Sequence, residues 1–136
     1  KKRIALATRV AGDVPLILSD WEKVRRILVN LVSNAIKFIP EEGSVSVDVR
    51  FDEGARLVVI EVADDGIGIA PEDLPRIFEK GFTGYNGRTF RKSTGLGLYL
   101  CKEILTRLSH SMTISSEVGK GTTVKIDLQT YEITSE

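Results

Sequence analysis

The sequence predicts a two-layer α/β (α+β) sandwich, a mixed sheet of about five strands with helices packed on one face. Three observations predict it. Several short runs alternate apolar and polar residues with a period of two. Two longer stretches repeat apolar residues at helical spacing. Turn-forming residues separate these segments in the order β, long helix, ββ, short helix, loop, long helix, ββ. Helices gathered on one side are the economical way for such a sheet to bury its apolar face.

Each element has its own reason. Ile4 to Val10 alternates apolar with small or polar residues, as a strand does. Ser19-Asp20-Trp21-Glu22 fits a capping box, with Ser19 as N-cap and Glu22 three residues later. Val24, Ile27, Leu28, Leu31 and Ala35 then mark a helix over about residues 20–38, stopped by Pro40 and Gly43. Val45, Val47, Val49 and Phe51 alternate in a strand over 44–51, and Leu57 to Val62 is a second, with a hairpin loop at Asp52-Glu53-Gly54. Pro71 to Phe78 reads as a short helix with proline in its first turn. Residues 79–94 lack a period and read as a long loop, the kind that is functional or mobile. Leu98, Cys101, Ile104, Leu105 and Leu108 mark the second long helix. Met112 to Ser116 and Thr122 to Leu128 form a closing hairpin around Gly119-Lys120-Gly121.

A chain of 136 residues is one domain's worth, with 42% hydrophobic and 28% charged residues. Lys plus Arg is 19 and Asp plus Glu is 19, so broad attraction to nucleic acid or to an anionic membrane is not expected. One cysteine, Cys101, excludes an intrachain disulfide, and a single His110 argues against a Cys/His zinc site. No apolar stretch approaches a membrane span, and Lys1-Lys2-Arg3 is not followed by a signal-peptide core. The chain starts without Met and almost inside a strand, as expected of a domain from a longer intracellular protein.

Four groups of residues carry chemistry. Asn30, Asn34 and Lys37 lie at i, i+4 and i+7, within one sector of roughly 60° on the first helix. They form either a solvated polar edge or a ligand-facing row, in which an amide oxygen ligates a hard cation and Lys37 meets phosphate. Asp64-Asp65-Gly66-Ile67-Gly68-Ile69 follows directly on a strand. It is either a plain turn or a carboxylate set where the backbone lets a ligand approach. Thr94-Gly95-Leu96-Gly97-Leu98 opens the second helix, either as a simple junction or as backbone N–H groups for an anion. Gly119-Lys120-Gly121-Thr122-Thr123 alone is a hairpin turn. No phosphate-binding G-x-x-x-x-G-K-[ST] and no dinucleotide fingerprint occurs.

In this order the groups resemble the boxes of the sensor histidine kinase ATP-binding domain, in the GHKL (Bergerat-type) ATPase and kinase superfamily. Asn30 to Phe38 is similar to its N box and Asp64 to Gly68 to its G1 box. Ile77 to Phe82 resembles the F box, Thr94 to Leu98 the G2 box, and Gly119 to Thr123 the closing glycine motif. Residues 82–102 are further similar to Gram-positive kinases that sense envelope or antimicrobial-peptide stress. The resemblance implies that Asp64 accepts from the adenine amino group, with Gly66 and Gly68 allowing close approach. It implies Asn34 as the Mg²⁺ ligand, Asn30 assisting, and Lys37 reaching the phosphates. Phe38, Ile69 and Leu98 would line the base pocket, and Thr94 and Leu96 of the G2 box would also belong to the nucleotide site. Gly95 and Gly97 would give backbone N–H groups to the phosphates, and Thr122 or Thr123 would contact adenine directly or through water. Residues 79–94 would be a lid carrying Arg88, Arg91 and Lys92.

The resemblance also implies a reaction. ATP hydrolases of the superfamily commonly place a general-base Glu four residues before the magnesium Asn. Here that position is Asn30, which favours phosphoryl transfer over hydrolysis. The implied function is Mg-ATP binding and transfer of the γ-phosphoryl group to a histidine on a separate dimerisation domain, with a response regulator downstream. His110 lacks the setting of such an acceptor. The implied location is the cytoplasmic side of a membrane-anchored parent, without direct membrane contact by this domain. The alternatives are a serine-directed anti-sigma-type kinase and a nucleotide-gated docking module without catalysis. Lys92 and Ser93 stand where the family carries more glycine before the G2 box, and Ser109-His110 where it often has a glycine turn.

Overall fold

The computed structural model describes residues 3–12, 14–15, 19–39, 42–78 and 97–130. Strands β1 (Arg3–Val10), β2 (Glu42–Asp52), β3 (Leu57–Asp64), β4 (Ser111–Glu117) and β5 (Gly121–Gln129) form one sheet in the order β1-β2-β3-β5-β4. β1 runs parallel to β2, and the other neighbours are antiparallel. Helix α1 (Trp21–Phe38) makes the parallel crossover, and helix α2 (Leu98–Arg107) precedes the closing hairpin. This is the predicted mixed, two-layer architecture.

The sheet alternates as its sequence does. Val45, Val58, Ile60, Val62, Val124, Ile126 and Leu128 face the helices and are buried against Ile27, Leu31 and Ala35 of α1 and Cys101 and Leu105 of α2. On β2 and β5 the intervening positions are mostly polar, whereas β3 alternates less cleanly, with Val59 buried and Glu61 paired to Arg50 of β2. Period two in the strands and near four in the helices thus converge on one core.

Four boundaries differ from expectation. Asp20, not Ser19, caps α1: its side chain accepts from Lys23 N–H, while the Ser19 hydroxyl bonds His110 instead. β2 begins at Glu42, so Gly43 lies inside the strand rather than before it. The β2–β3 loop occupies residues 53–56, one step later than predicted. The expected helix over 71–78 is a single 3-10 turn, Leu74–Arg76. Pro75 has no N–H to give the carbonyl four residues earlier, so an α-helical turn cannot propagate there. The loop over 79–94 lies outside the described residues, apart from which Phe78 sits under the Lys102 ammonium on α2, 4.3 Å from its ring centre.

Helix α2 ends in a Schellman arrangement. Ser109 N–H donates to Thr106 O at 3.0 Å and His110 N–H to Leu105 O at 2.8 Å. Ser109 takes φ 67° to close it, at the place where glycine was expected from the resemblance. A side chain in that region costs about 1–2 kcal/mol, partly offset because glycine is freer when unfolded. Ser109→Gly should therefore stabilise the domain by about 0.5–1 kcal/mol, read as a higher urea midpoint at unchanged slope.

His110 is 5% exposed and neutral by design of its contacts. Its Nδ1 accepts Gln129 N–H at 3.0 Å, which leaves Nε2–H to donate to Ser19 Oγ at 2.9 Å. Burial holds its pKa below the ordinary 6.5. A proton is therefore taken up on unfolding when the pH lies between the folded and unfolded values. Stability should be level above about pH 6.5 and fall as pH drops through that window. Denaturant curves at pH 7.5 and 5.5 check this, and His110→Gln should flatten the difference.

Candidate functional site

A recess opens between α1, the start of α2 and the sheet. Leu31, Asn34 and Ala35 of α1 form one wall; Val62 and Asp64 of β3, Thr122 and Val124 of β5 and Ile114 of β4 form the floor; Ile69 and Leu98 close it. Its apolar lining, with a few convergent polar groups, suits a small planar ligand.

The polar edge is built by register. Asp64 ends β3 directly opposite Thr122 on β5. Its Oδ1 accepts Gly66 N–H at 2.8 Å, and Thr122 N–H also donates to the carboxyl group. Burial raises the Asp64 pKa, an effect these two bonds oppose. Its neighbour Asp65 is exposed and turned away; Ser44 N–H, at 2.8 Å, holds its pKa low. Thus the first acid of the pair serves the pocket and the second ties the turn to β2.

The turn after Asp64 is clamped by the closing hairpin. Gly119 N–H donates to Ile67 O at 2.9 Å, and Ile69 N–H donates to Ser116 Oγ at 2.8 Å. Gly68 has φ +79°, and a Cβ there would lie 2.3 Å from the Glu117 carbonyl oxygen. Only glycine permits that approach.

On α1, Asn34 lines the recess while Asn30 sits one turn earlier, 1% exposed, with Nδ2 at 3.5 Å from Cys101 Sγ. Among the described residues, the Oδ1 atoms of Asn30 and Asn34 are buried without a hydrogen-bond partner. A buried, unpaired amide oxygen is costly by itself and suits a cation ligand. Cys101 itself is inert, its thiol pushed up to about 11 by burial.

The structure brings Asn34, Asp64, Gly66, Gly68, Ile69, Leu98 and Thr122 together. Gly97 caps α2 at the rim. Lys37 is exposed and borders an outer groove of α1 with Leu28, Val29 and Val32, rather than the recess. Thr123 is corrected: strand alternation turns it to the opposite face from Thr122, opposite Ala63. Thr94, Gly95, Leu96, Arg88, Arg91, Lys92 and the side chain of Phe38 lie outside the described residues. Ser116 was missed, since a strand serine reads as ordinary surface; the only available signal was its place opposite Thr122 in the predicted hairpin.

Comparison with known proteins agrees with this arrangement. Residues 19–132 match the family model "Histidine kinase-, DNA gyrase B-, and HSP90-like ATPase". The chain is 38% identical over 115 residues to the sensor histidine kinase YxdK of Bacillus subtilis, covering 84% of this chain and 35% of that protein. It is 42% identical over 111 residues to the sensor protein BceS of Halalkalibacterium halodurans, covering 82% and 32%. Full-length ShkA in complex with AMPPNP superposes with a TM-score of 0.79 at 30% identity, over 97% of this chain and 27% of that one. The chain thus spans about a third of the length of these two curated relatives, and less of several others.

Proposed function

Since this chain belongs to the family of histidine kinase-, DNA gyrase B- and HSP90-like ATPases, we propose that it binds Mg-ATP and donates the γ-phosphoryl group to a histidine on a separate helical domain. The observation that carries this is the convergence of Asp64 and Thr122 at one end of an apolar recess with the unpaired amide oxygen of Asn34 on its wall. Asp64 binds the amino edge of the base, and Ile69, Leu98 and Val62 hold its faces out of water. Asn34 Oδ1 would hold Mg²⁺, with Asn30 oriented behind it. When bound, Mg²⁺ neutralises charge on the phosphate oxygens.

The chain's own residues position the nucleotide rather than activate water. The place that would carry a carboxylate base is Asn30, an amide buried against Cys101 that takes no proton at neutral pH. Phosphoryl transfer asks of such a site mainly placement and charge compensation. The relatives named as sensor histidine kinases support an acceptor histidine, a response regulator and two-component signalling as this chain's partners. We read the chain accordingly as the single catalytic domain of a membrane-anchored sensor kinase, placed on the cytoplasmic side. No described helix is long and apolar enough to cross a membrane.

Calorimetric titration with a non-hydrolysable ATP analogue, with and without Mg²⁺, tests the proposal. Saturable binding that tightens with Mg²⁺, with Asn34→Ala blunting that tightening, is expected. Transfer of label from ATP to an added helical acceptor domain, retained as acid-labile phosphohistidine, is the second arm. A folded domain that binds no nucleotide, or that binds it but phosphorylates only serine on its acceptor, would overturn the respective half of the reading.

A further inference from the structure

Ser116 Oγ makes three contacts at once: Ile69 N at 2.8 Å, Gly121 O at 2.9 Å and Thr122 Oγ1 at 2.8 Å. A hydroxyl has one proton and two lone pairs. Ile69 N–H can only donate, and the Gly121 carbonyl can only accept. The Ser116 proton therefore goes to Gly121, and one lone pair takes Ile69 N–H. Only a lone pair is left for Thr122, so the Thr122 hydroxyl must donate to Ser116. The reverse direction would set two acceptors, Ser116 Oγ and Gly121 O, 2.9 Å apart with no proton between them.

The consequence falls on the pocket. Thr122 lines the recess, and with its proton committed to Ser116 it can offer the recess lone pairs alone. Its partner across the strands, Asp64, also only accepts when ionised. From this geometry we infer that Ser116 is a positioning residue for base selection: by fixing the direction of the Thr122 proton, it makes the pocket prefer a purine with an amino group at position 6 over one with an oxo group. The inference rests on the reading that this recess takes the nucleotide base. Asp64 alone selects weakly, because a 6-oxo purine still offers it the ring N1–H. With position 6 set between Asp64 and Thr122, a 6-amino group gives a hydrogen to each, whereas a 6-oxo oxygen meets only lone pairs at Thr122 and loses its water without replacement.

The test is the ratio of affinities for Mg-ADP and for Mg-inosine diphosphate, which differ at position 6 and the adjoining N1 proton. Wild type should favour ADP. Ser116→Ala frees the Thr122 hydroxyl to turn and donate, so the preference should fall by about tenfold. Thr122→Val removes the lone pairs and should compress the ratio as well. Ser116→Ala added to Thr122→Val should then leave the ratio where it was. A purely structural Ser116 would weaken both nucleotides equally and keep the ratio, which overturns the inference. If Ser116→Ala does not fold, an unchanged ratio in Thr122→Val overturns it instead. A folded wild type that binds neither nucleotide defeats the nucleotide reading itself, and this inference with it.

Discussion

Replacing Gly121 with alanine is expected to destabilise the domain by about 3–5 kcal/mol and to abolish nucleotide binding. Gly121 has φ +127°, a conformation that side-chain-bearing residues rarely adopt. A Cβ there would lie 2.0 Å from the Asp64 carbonyl oxygen and 2.8 Å from Asp65 Cα. Both obstacles are backbone, so no rotamer change relieves them. Either β5 moves off β3 at its first residue or the turn after Asp64 is displaced. Both movements separate Asp64 from Thr122. Urea denaturation measures the loss, and a stability within 1 kcal/mol of wild type would show that the hairpin accommodates the methyl group.

Asp64→Asn is expected to leave the fold intact and reduce ATP affinity about 10- to 100-fold. Asparagine keeps the volume of the side chain. Its carbonyl oxygen can still accept Gly66 N–H, as Asp64 Oδ1 does at 2.8 Å. The second oxygen becomes an NH₂ group, which sets a donor against the amino edge of the base and removes the negative charge. Thermal unfolding near the wild-type midpoint together with a weakened calorimetric isotherm is the predicted pair of results. Unchanged affinity would mean that the base is held elsewhere.

Much of this molecule is legible in its sequence. Val45, Val47, Val49 and Phe51 announce a half-buried strand because a two-residue period allows no other packing, and Val24, Ile27, Leu31 and Ala35 do the same for α1. The differences arise where one local group had two plausible partners. Ser19 suits an N-cap, but His110, far away in sequence, takes its hydroxyl. Pro71 suits a helix start, but Pro75 removes the bond that would continue it. At the site, Asp64, Asn34, Ile69 and Leu98 were legible as residue types in a fixed order. The choice of Thr122 over Thr123 needed strand register, and the role of Ser116 needed a hydrogen-bond network that no one-dimensional spacing encodes.

Asp64 and Thr122 are opposed across the sheet yet come from opposite halves of the chain. Two antiparallel pairs, β2 with β3 and β4 with β5, are joined by short turns and are kinetically cheap to form. The seam between them, β3 on β5, closes a much larger loop and is a late event on the same grounds. Before it closes, one hairpin carries the carboxylate and the other carries the two hydroxyls, and neither half resembles a binding site. Nucleotide would then hold the finished seam shut without hastening its closure. Its stabilisation is expected to appear almost wholly as slower unfolding, with the refolding rate unchanged.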